Sequence, residues 1–266
     1  YLGARVYPEN TRDEIMRDLE EYRQELLVIK GSRLQLRDFT ERVMDLVAEL
    51  VFSRLILVLA SGIGALGKIT KLAGPELAAD VALLTRALPG NVTVEMGLEL
   101  YDVAQTLPSD ATADNLGERL QKRELPQEFL TRWDSFIGKY GHRAPEELDI
   151  ATKRYREDSA FLINQLISLS STRGTDFNPR TKYEEAVKAR EQAFLRIKYV
   201  LMERGRIDAM KFDATYRVLT SFLGLRETPK FCLILAIDAI RQRVIEAGAY
   251  LVSQGRLDSV DQVFEL

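Results

Sequence analysis

Two blocks in the middle of the chain concentrate the groups able to do polar chemistry: Tyr140-Gly141-His142-Arg143-Ala144-Pro145-Glu146-Glu147-Leu148-Asp149 and Lys153-Arg154-Tyr155-Arg156-Glu157-Asp158. The first holds the sequence's only histidine. Planar guanidinium groups engage two carboxylate or phosphate oxygens at once, so Arg143, Arg154 and Arg156 suit an anion, and Glu146, Glu147 and Asp149 are placed to orient them. An unperturbed histidine titrates near neutrality, so a residue of this type at 142 is able to accept a proton, act as an electrophile or be phosphorylated. The same residues also read as an arginine-carboxylate lattice that staples a loop between two helices, with His142 as a structural hydrogen-bonding group. A ligand site here requires Arg143 and Arg154 to point into one accessible cleft.

Gly141 and Pro145 keep this segment from being a plain helix, and the flanks that position it are strongly helical. Thr11 and Glu14 form a capping-box pattern ahead of the stripe Ile15, Leu19, Tyr22, Leu26 and Ile29. From about Asp38 to Leu59 helical spacing continues until Ser61-Gly62-Ile63-Gly64, which predicts a kink or a tight helix crossing. Gly74-Pro75 opens a helix with Leu77, Val81, Leu84 and Leu88, ended by Pro89-Gly90-Asn91; Asn91 or Thr93 caps the next, with Met96, Leu100 and Tyr101. Pro108 to Asn115 reads as a polar connection. A helix from about Pro126 to Lys139 puts Phe129, Trp133, Phe136, Ile137 and Tyr140 on one side, as core rather than a ligand cage.

Beyond the polar break, Phe161, Leu162, Ile163, Leu166 and Ile167 predict a helix ending near Ser171, followed by a loop over 173–180. Another starts at about Lys182, carries Val187, Phe194, Ile197 and Leu201, and loosens at Gly205. Thr228 and Pro229 open a last long helix with Leu233, Ile237, Ile240, Val244 and Leu251, which stops at Gly255. No convincing period-two strand occurs. The expected fold is all-α, a multi-helix domain with long helices and a polar irregular segment near residues 140–158, continuous over 1–266.

Composition narrows the function classes. Subtracting 40 acidic from 37 basic residues gives a net charge of −3, which offers nucleic acid or anionic lipid no general attraction. The one cysteine, Cys232, excludes an intrachain disulfide and fits a reducing compartment, so the cytoplasm is expected. The most apolar run, Leu55 to Leu66, is roughly a dozen residues, short for a bilayer span. One histidine and one cysteine give no zinc-site spacing. Ser61-Gly62-Ile63-Gly64-Ala65-Leu66-Gly67 has no strand before it and is a poor phosphate loop. Asn91-Val92-Thr93 matches a glycosylation sequon but reads as local structure. Beginning at Tyr1 without an initiator methionine and stopping on Val263-Phe264-Glu265-Leu266, the chain reads as a piece of something longer.

Four separated segments carry a resemblance: Leu88 to Gly97, Tyr140 to Asp158, Arg226 to Phe231, and Gly255-Arg256-Leu257-Asp258 through Asp261 to Leu266. In that order they resemble the helical domain of phosphoenolpyruvate-utilising phosphotransferases, the group that includes rifampicin phosphotransferase and phosphoenolpyruvate synthase. The resemblance implies a three-part enzyme that uses ATP and Mg: a nucleotide-binding domain, this helical acceptor-binding domain, and a mobile domain whose histidine carries the phosphoryl group. That carrier lies in a glycine-rich motif absent here, so His142 is not it. Carried over onto matching positions, His142, Arg143, Glu147 and Arg154 are the catalytic candidates, forming a polar wall that meets the phosphohistidine and a small-molecule acceptor. Glu146 stands where the pattern has glycine, Lys153 where it has proline, Tyr155 where it usually has tryptophan, and Thr228 where it has an aromatic. No metal site and no cofactor site is expected in this piece itself. The rival readings are a noncatalytic helical scaffold that binds protein partners and a self-sufficient lyase using His142 with nearby carboxylates.

Overall fold

The computed structural model describes residues 6–266; Tyr1 and the next four residues lie outside the described residues. All regular elements are helices, with no strand among the described residues, as the all-α expectation requires. Helix α1 (Pro8–Lys30) buries Ile15, Leu19, Tyr22, Leu26 and Ile29 along one face, as their spacing predicts. Its start lies earlier than the capping-box pattern suggests. Thr11 is already helical, and its hydroxyl donates back to the Tyr7 carbonyl at 3.1 Å instead of capping.

Helices α2 (Leu36–Leu50) and α3 (Ile56–Ala73) are joined by a π-helical turn, Val51–Leu55. The irregularity therefore precedes the glycines, and α3 passes through Gly62 and Gly64 unbroken. An interior glycine costs a helix only about 1 kcal/mol. At Gly62 it permits a tight crossing, since a Cβ there would lie 2.9 Å from the backbone nitrogen of Leu223. The continuous stretch Leu36–Ala73 contains an 18-residue window of mean hydropathy 2.1, 39% of it buried. By length and composition it is able to cross a bilayer, which corrects the estimate from the uninterrupted apolar letters; the helix extends well to either side of them.

Two compact units form. The first comprises residues 1–23, 48–93 and 179–229. Here α3 presents Val58, Ser61, Gly62, Ala65, Ile69 and Ala73 inward, and small side chains in that row let α10 (Arg206–Phe222) approach closely. Helix α9 (Pro179–Arg204) packs on both α10 and the short α4 (Ala78–Leu83), with Phe194 stacked on Phe212 and Tyr216 at 5.3 and 4.5 Å. Helix α4 ends sooner than predicted, yet Leu77, Val81, Leu84 and Leu88 are all buried. Helix α10 has no counterpart in the sequence reading. Gly224, in the 3-10 turn Leu223–Glu227, lies against the Pro89 carbonyl, where any Cβ would clash.

The second unit comprises residues 24–47, 94–178 and 230–266. Helix α5 (Val92–Gln105) is entered through Asn91, whose side-chain oxygen accepts from the Thr93 amide at 3.1 Å. The expected polar connection at 108–115 is in part a cap: Thr112 and Asn115 bond reciprocally and open α6 (Ala113–Gln121), which packs on α8 (Ala160–Ser170). Helix α7 (Gln127–Tyr140) buries Phe129, Trp133, Phe136 and Tyr140 as predicted.

The last helix, α11 (Thr228–Ser253), differs in two ways. Thr228 has helical dihedrals (φ −63°, ψ −41°), so it is the first residue and not a cap. The buried positions are Thr228, Phe231, Cys232, Ile234, Ala236, Asp238, Ala239, Ile240, Arg241 and Gly248, whereas Leu233 and Ile237 are half-buried. Its stop is as expected: Gly255 takes φ 66°, with Arg256 N–H bonded to the Leu251 carbonyl and Gly255 N–H to that of Val252.

Overpacking costs typically 1–3 kcal/mol, so Gly224→Ala and Gly62→Ala should each lower stability by about 2 kcal/mol. Gly64 and Gly67 have nothing within 4 Å of an added Cβ, and their alanine variants should be neutral or more stable by up to ~1 kcal/mol. Urea unfolding midpoints of the four variants check this; equal effects at all four positions would contradict the close approaches.

Candidate functional site

The segment between α7 and α8 is irregular, as its glycine and proline demand, but it is firmly tied. Gly141 closes α7 by donating to the Ile137 carbonyl at 2.7 Å, and a Cβ on it would crowd Ile137 and lie 3.1 Å from the Arg156 Cβ. Glycine therefore lets residues 154–156 run alongside 141–143. Two backbone bonds join them, Tyr155 N–H to the Arg143 carbonyl at 2.8 Å and Arg156 N–H to the Gly141 carbonyl at 3.1 Å.

All four sequence candidates lie in the second unit and are buried. Arg143 donates through Nε to Glu147 Oε1 at 2.5 Å and through Nη1 to the Met96 sulfur of α5 at 3.3 Å. The other Glu147 oxygen receives the ammonium of Lys230 from α11 at 2.7 Å. His142 lies edge-on to Phe231 at 5.2 Å. Arg154 is 0% exposed and donates to the backbone carbonyls of Glu147 and Asp149 at 3.3 and 3.2 Å. Arg143 and Arg154 thus do not share an open cleft, and the condition for a ligand site formed by these two arginines is not met. The first is paired with a carboxylate, and the second frames the loop through its carbonyls.

Residues that sequence reasoning did not single out complete the cluster. Asp238 of α11 accepts from Arg156. Arg241, one helical turn on and 2% exposed, grips Glu157 through Nε and Nη2 (2.6 Å) and donates through Nη1 to the carbonyls of Ile150 and Ala151 at 2.6 and 3.0 Å. The signal for both was an acid and a base three residues apart in the mostly apolar stretch 231–241, a place where charges need partners. Lys230 is the solvent-facing member, its side chain 52% exposed against 8% for Glu147. At the end of α7, Glu99 Oε1 accepts from the Tyr140 hydroxyl at 3.0 Å and the Lys139 ammonium at 2.5 Å. Burial pushes Tyr140 up to about 12, so it remains a donor.

Electrostatics separate the carboxylates. Burial raises Glu147, but the hydrogen bonds from Arg143 and Lys230 outweigh it and leave the group below its ordinary value. Glu157 behaves alike, with Arg241 overcoming burial. At Asp238 burial prevails over Arg156 and the carboxyl sits above its ordinary range. Burial likewise lowers Arg154, which no carboxylate contacts directly.

No group of three or more His, Cys, Asp or Glu side chains is placed to hold a metal among the described residues, and the glycines of 62–67 lie inside α3. These residues do not fit the ATP and Mg expected of a complete phosphotransferase.

A family model described as rifampicin phosphotransferase fourth domain matches residues 54–227. The rifampicin phosphotransferase of Bacillus cereus is 27% identical over 256 residues, covering 88% of this chain and 29% of that protein. That of Streptomyces sviceus is 28% identical over 215 residues, covering 75% of this chain and 24% of that protein; that of Bacillus subtilis is 23% identical over 214 residues, with the same shares. The chain therefore spans less than a third of the length of these curated relatives.

The pKa directions set the acid behaviour. Glu147 and Glu157 sit below the ordinary 4.5, so the stability they contribute is present above that pH and lost as pH falls through their folded values. Asp238, raised above 3.8, contributes in the opposite sense: its share is full below that pH and lost as pH rises through its folded value. Glu157→Gln should cost roughly 2 kcal/mol at pH 7, with the difference from the unmodified chain shrinking below about pH 4. Urea unfolding across pH measures it, and a pH-independent difference would contradict the assignment.

Proposed function

We propose, given that the chain belongs to the rifampicin phosphotransferase fourth-domain family, that it is the acceptor-facing helical domain of an enzyme that phosphorylates a small molecule. In this reading the complete cytoplasmic enzyme takes the phosphoryl group from ATP, with Mg, and passes it through a phosphohistidine on another domain of the same chain. The relatives' name makes a rifampicin-like hydroxyl compound one acceptor; pyruvate or water would make the enzyme phosphoenolpyruvate synthase-like.

One observation carries the reading: Arg143, Glu147 and Lys230 form a chain of two cations about one carboxylate, and its outer end is exposed. Phosphoryl transfer spreads charge over equatorial oxygens, and fixed cations act on it by position and electrostatics. Lys230 directs one N–H at Glu147, and an ammonium has two more donors for an incoming oxyanion. Glu147, held on its far side by Arg143, fixes where that ammonium stands. Arg154 contributes from behind, keeping the carbonyls of Glu147 and Asp149 in place. His142 lies edge-on to Phe231 and does not carry the phosphoryl group.

A second reading, a noncatalytic scaffold, is favoured by the donors of Arg154 and Arg241 that go to backbone carbonyls. Titration of inorganic phosphate, followed by phosphorus NMR, separates the two. The acceptor-facing reading expects Lys230→Gln to weaken phosphate binding roughly five- to tenfold, with stability lowered by only about 1 kcal/mol through the lost bond to Glu147. Equal binding by both proteins would favour the scaffold.

A further inference from the structure

The C-terminal 3-10 turn, Val260–Glu265, rests on the same helix that supplies the cluster's inner arginine. Its start is defined by Ser259 and Gln262, which satisfy one another's backbone and side chain, with Gln262 also accepting from the Asp258 amide at 2.7 Å. Two contacts seat it on α11. Gly248 admits Val263, whose Cβ would lie 3.1 Å from any Cβ at that position, and the Phe264 ring covers the Arg241 guanidinium at 4.7 Å. Positions 241 and 248 are seven apart, two helical turns, and so share a face.

From Arg241 the connection runs inward without a gap. Its N–H groups hold Glu157 and the carbonyls of Ile150 and Ala151, which bracket Arg154; Tyr155 N–H then binds the Arg143 carbonyl. A guanidinium stacked under an aromatic ring keeps its in-plane donors in a fixed orientation while the face is shielded from water. We propose that Arg241, and Phe264 that covers it, are positioning residues of the candidate site: the C-terminal turn is a strap whose seating on α11 keeps residues 147–157 ordered. The strap's relevance to phosphate rests on the reading above, whereas its mechanical effect does not.

Hydrogen exchange followed by mass spectrometry tests it in the 266-residue chain. Phe264→Ala and, independently, Gly248→Val should each speed exchange in the peptides covering 147–158 and 257–266 roughly tenfold. Peptides from α9 and α10 should not change, and Phe264→Tyr should restore the original rates. Phosphate affinity should fall in the same two variants and recover in the third. The proposal is overturned if 257–266 loosens while 147–158 stays protected, if neither variant loosens 257–266, or if every peptide accelerates together in both variants, which would make the turn a general stabiliser. Faster exchange at 147–158 with unaltered phosphate affinity would retain the strap and count against the acceptor-facing reading.

Discussion

Taking a guanidinium group out of water is costly unless its N–H groups find acceptors, and this chain meets most of that demand with the open ends of helices, Arg154 Nε and Arg190 Nε being buried without one among the described residues. The last carbonyls of a helix lack internal partners and carry its negative dipole end, so an arginine arriving from elsewhere satisfies both parties. Arg173 does so for Ala104 and Leu107 at the end of α5, Arg204 for Leu72 and Ala73 at the end of α3, and Arg243 for Lys30 and Ser32 beyond α1. Arg190 serves the turn at Arg86 and Ala87. Each of these contacts lies within one compact unit.

The segment 141–158 applies the same rule to a loop. With few regular backbone partners of its own, it is held by Arg154 from within and Arg241 from α11, both directed at carbonyls. Replacing such a buried charge on one side only is costly, because its partner is then stranded. The arrangement gives rigidity in the interior and places Lys230, held by Glu147, at the surface. An electrostatic site benefits from that combination: fixed charges need no reorganisation when an anion arrives.

What the sequence disclosed follows the range of the interactions. The face of α1 and the stop at Gly255 depend on neighbours within a few residues, and both were legible. Family membership was legible through the Tyr140 to Asp158 block and its companions. Helix α6 was missed because its polar start, Thr112 to Asn115, looks like a loop until the reciprocal cap is seen. Near Gly62 a kink or a tight crossing was expected, and the structure takes the second course, against Leu223, a partner far along the chain that no local pattern names. The candidate site divides in the same way. The arginines and carboxylates of 143–149 were legible as a cluster, though not which carboxylate Arg143 takes; Asp238, Arg241 and Phe264 act on residues some tens of positions away, and their surroundings show only that the two charges need partners, not which ones.

The central claim is that the interior arginines are locked while the outer cation, paired with Glu147, stands exposed to an arriving anion. Arginine side-chain NMR, reading solvent exchange of individual guanidinium Nε–H groups, addresses it directly. The account predicts that the Nε–H signals of Arg154 and Arg241 persist at a pH where those of surface arginines such as Arg37 and Arg132 have been lost to exchange. Indistinguishable exchange at all four would show the lattice to be open to water, and both the frame and the site built on it would have to be abandoned.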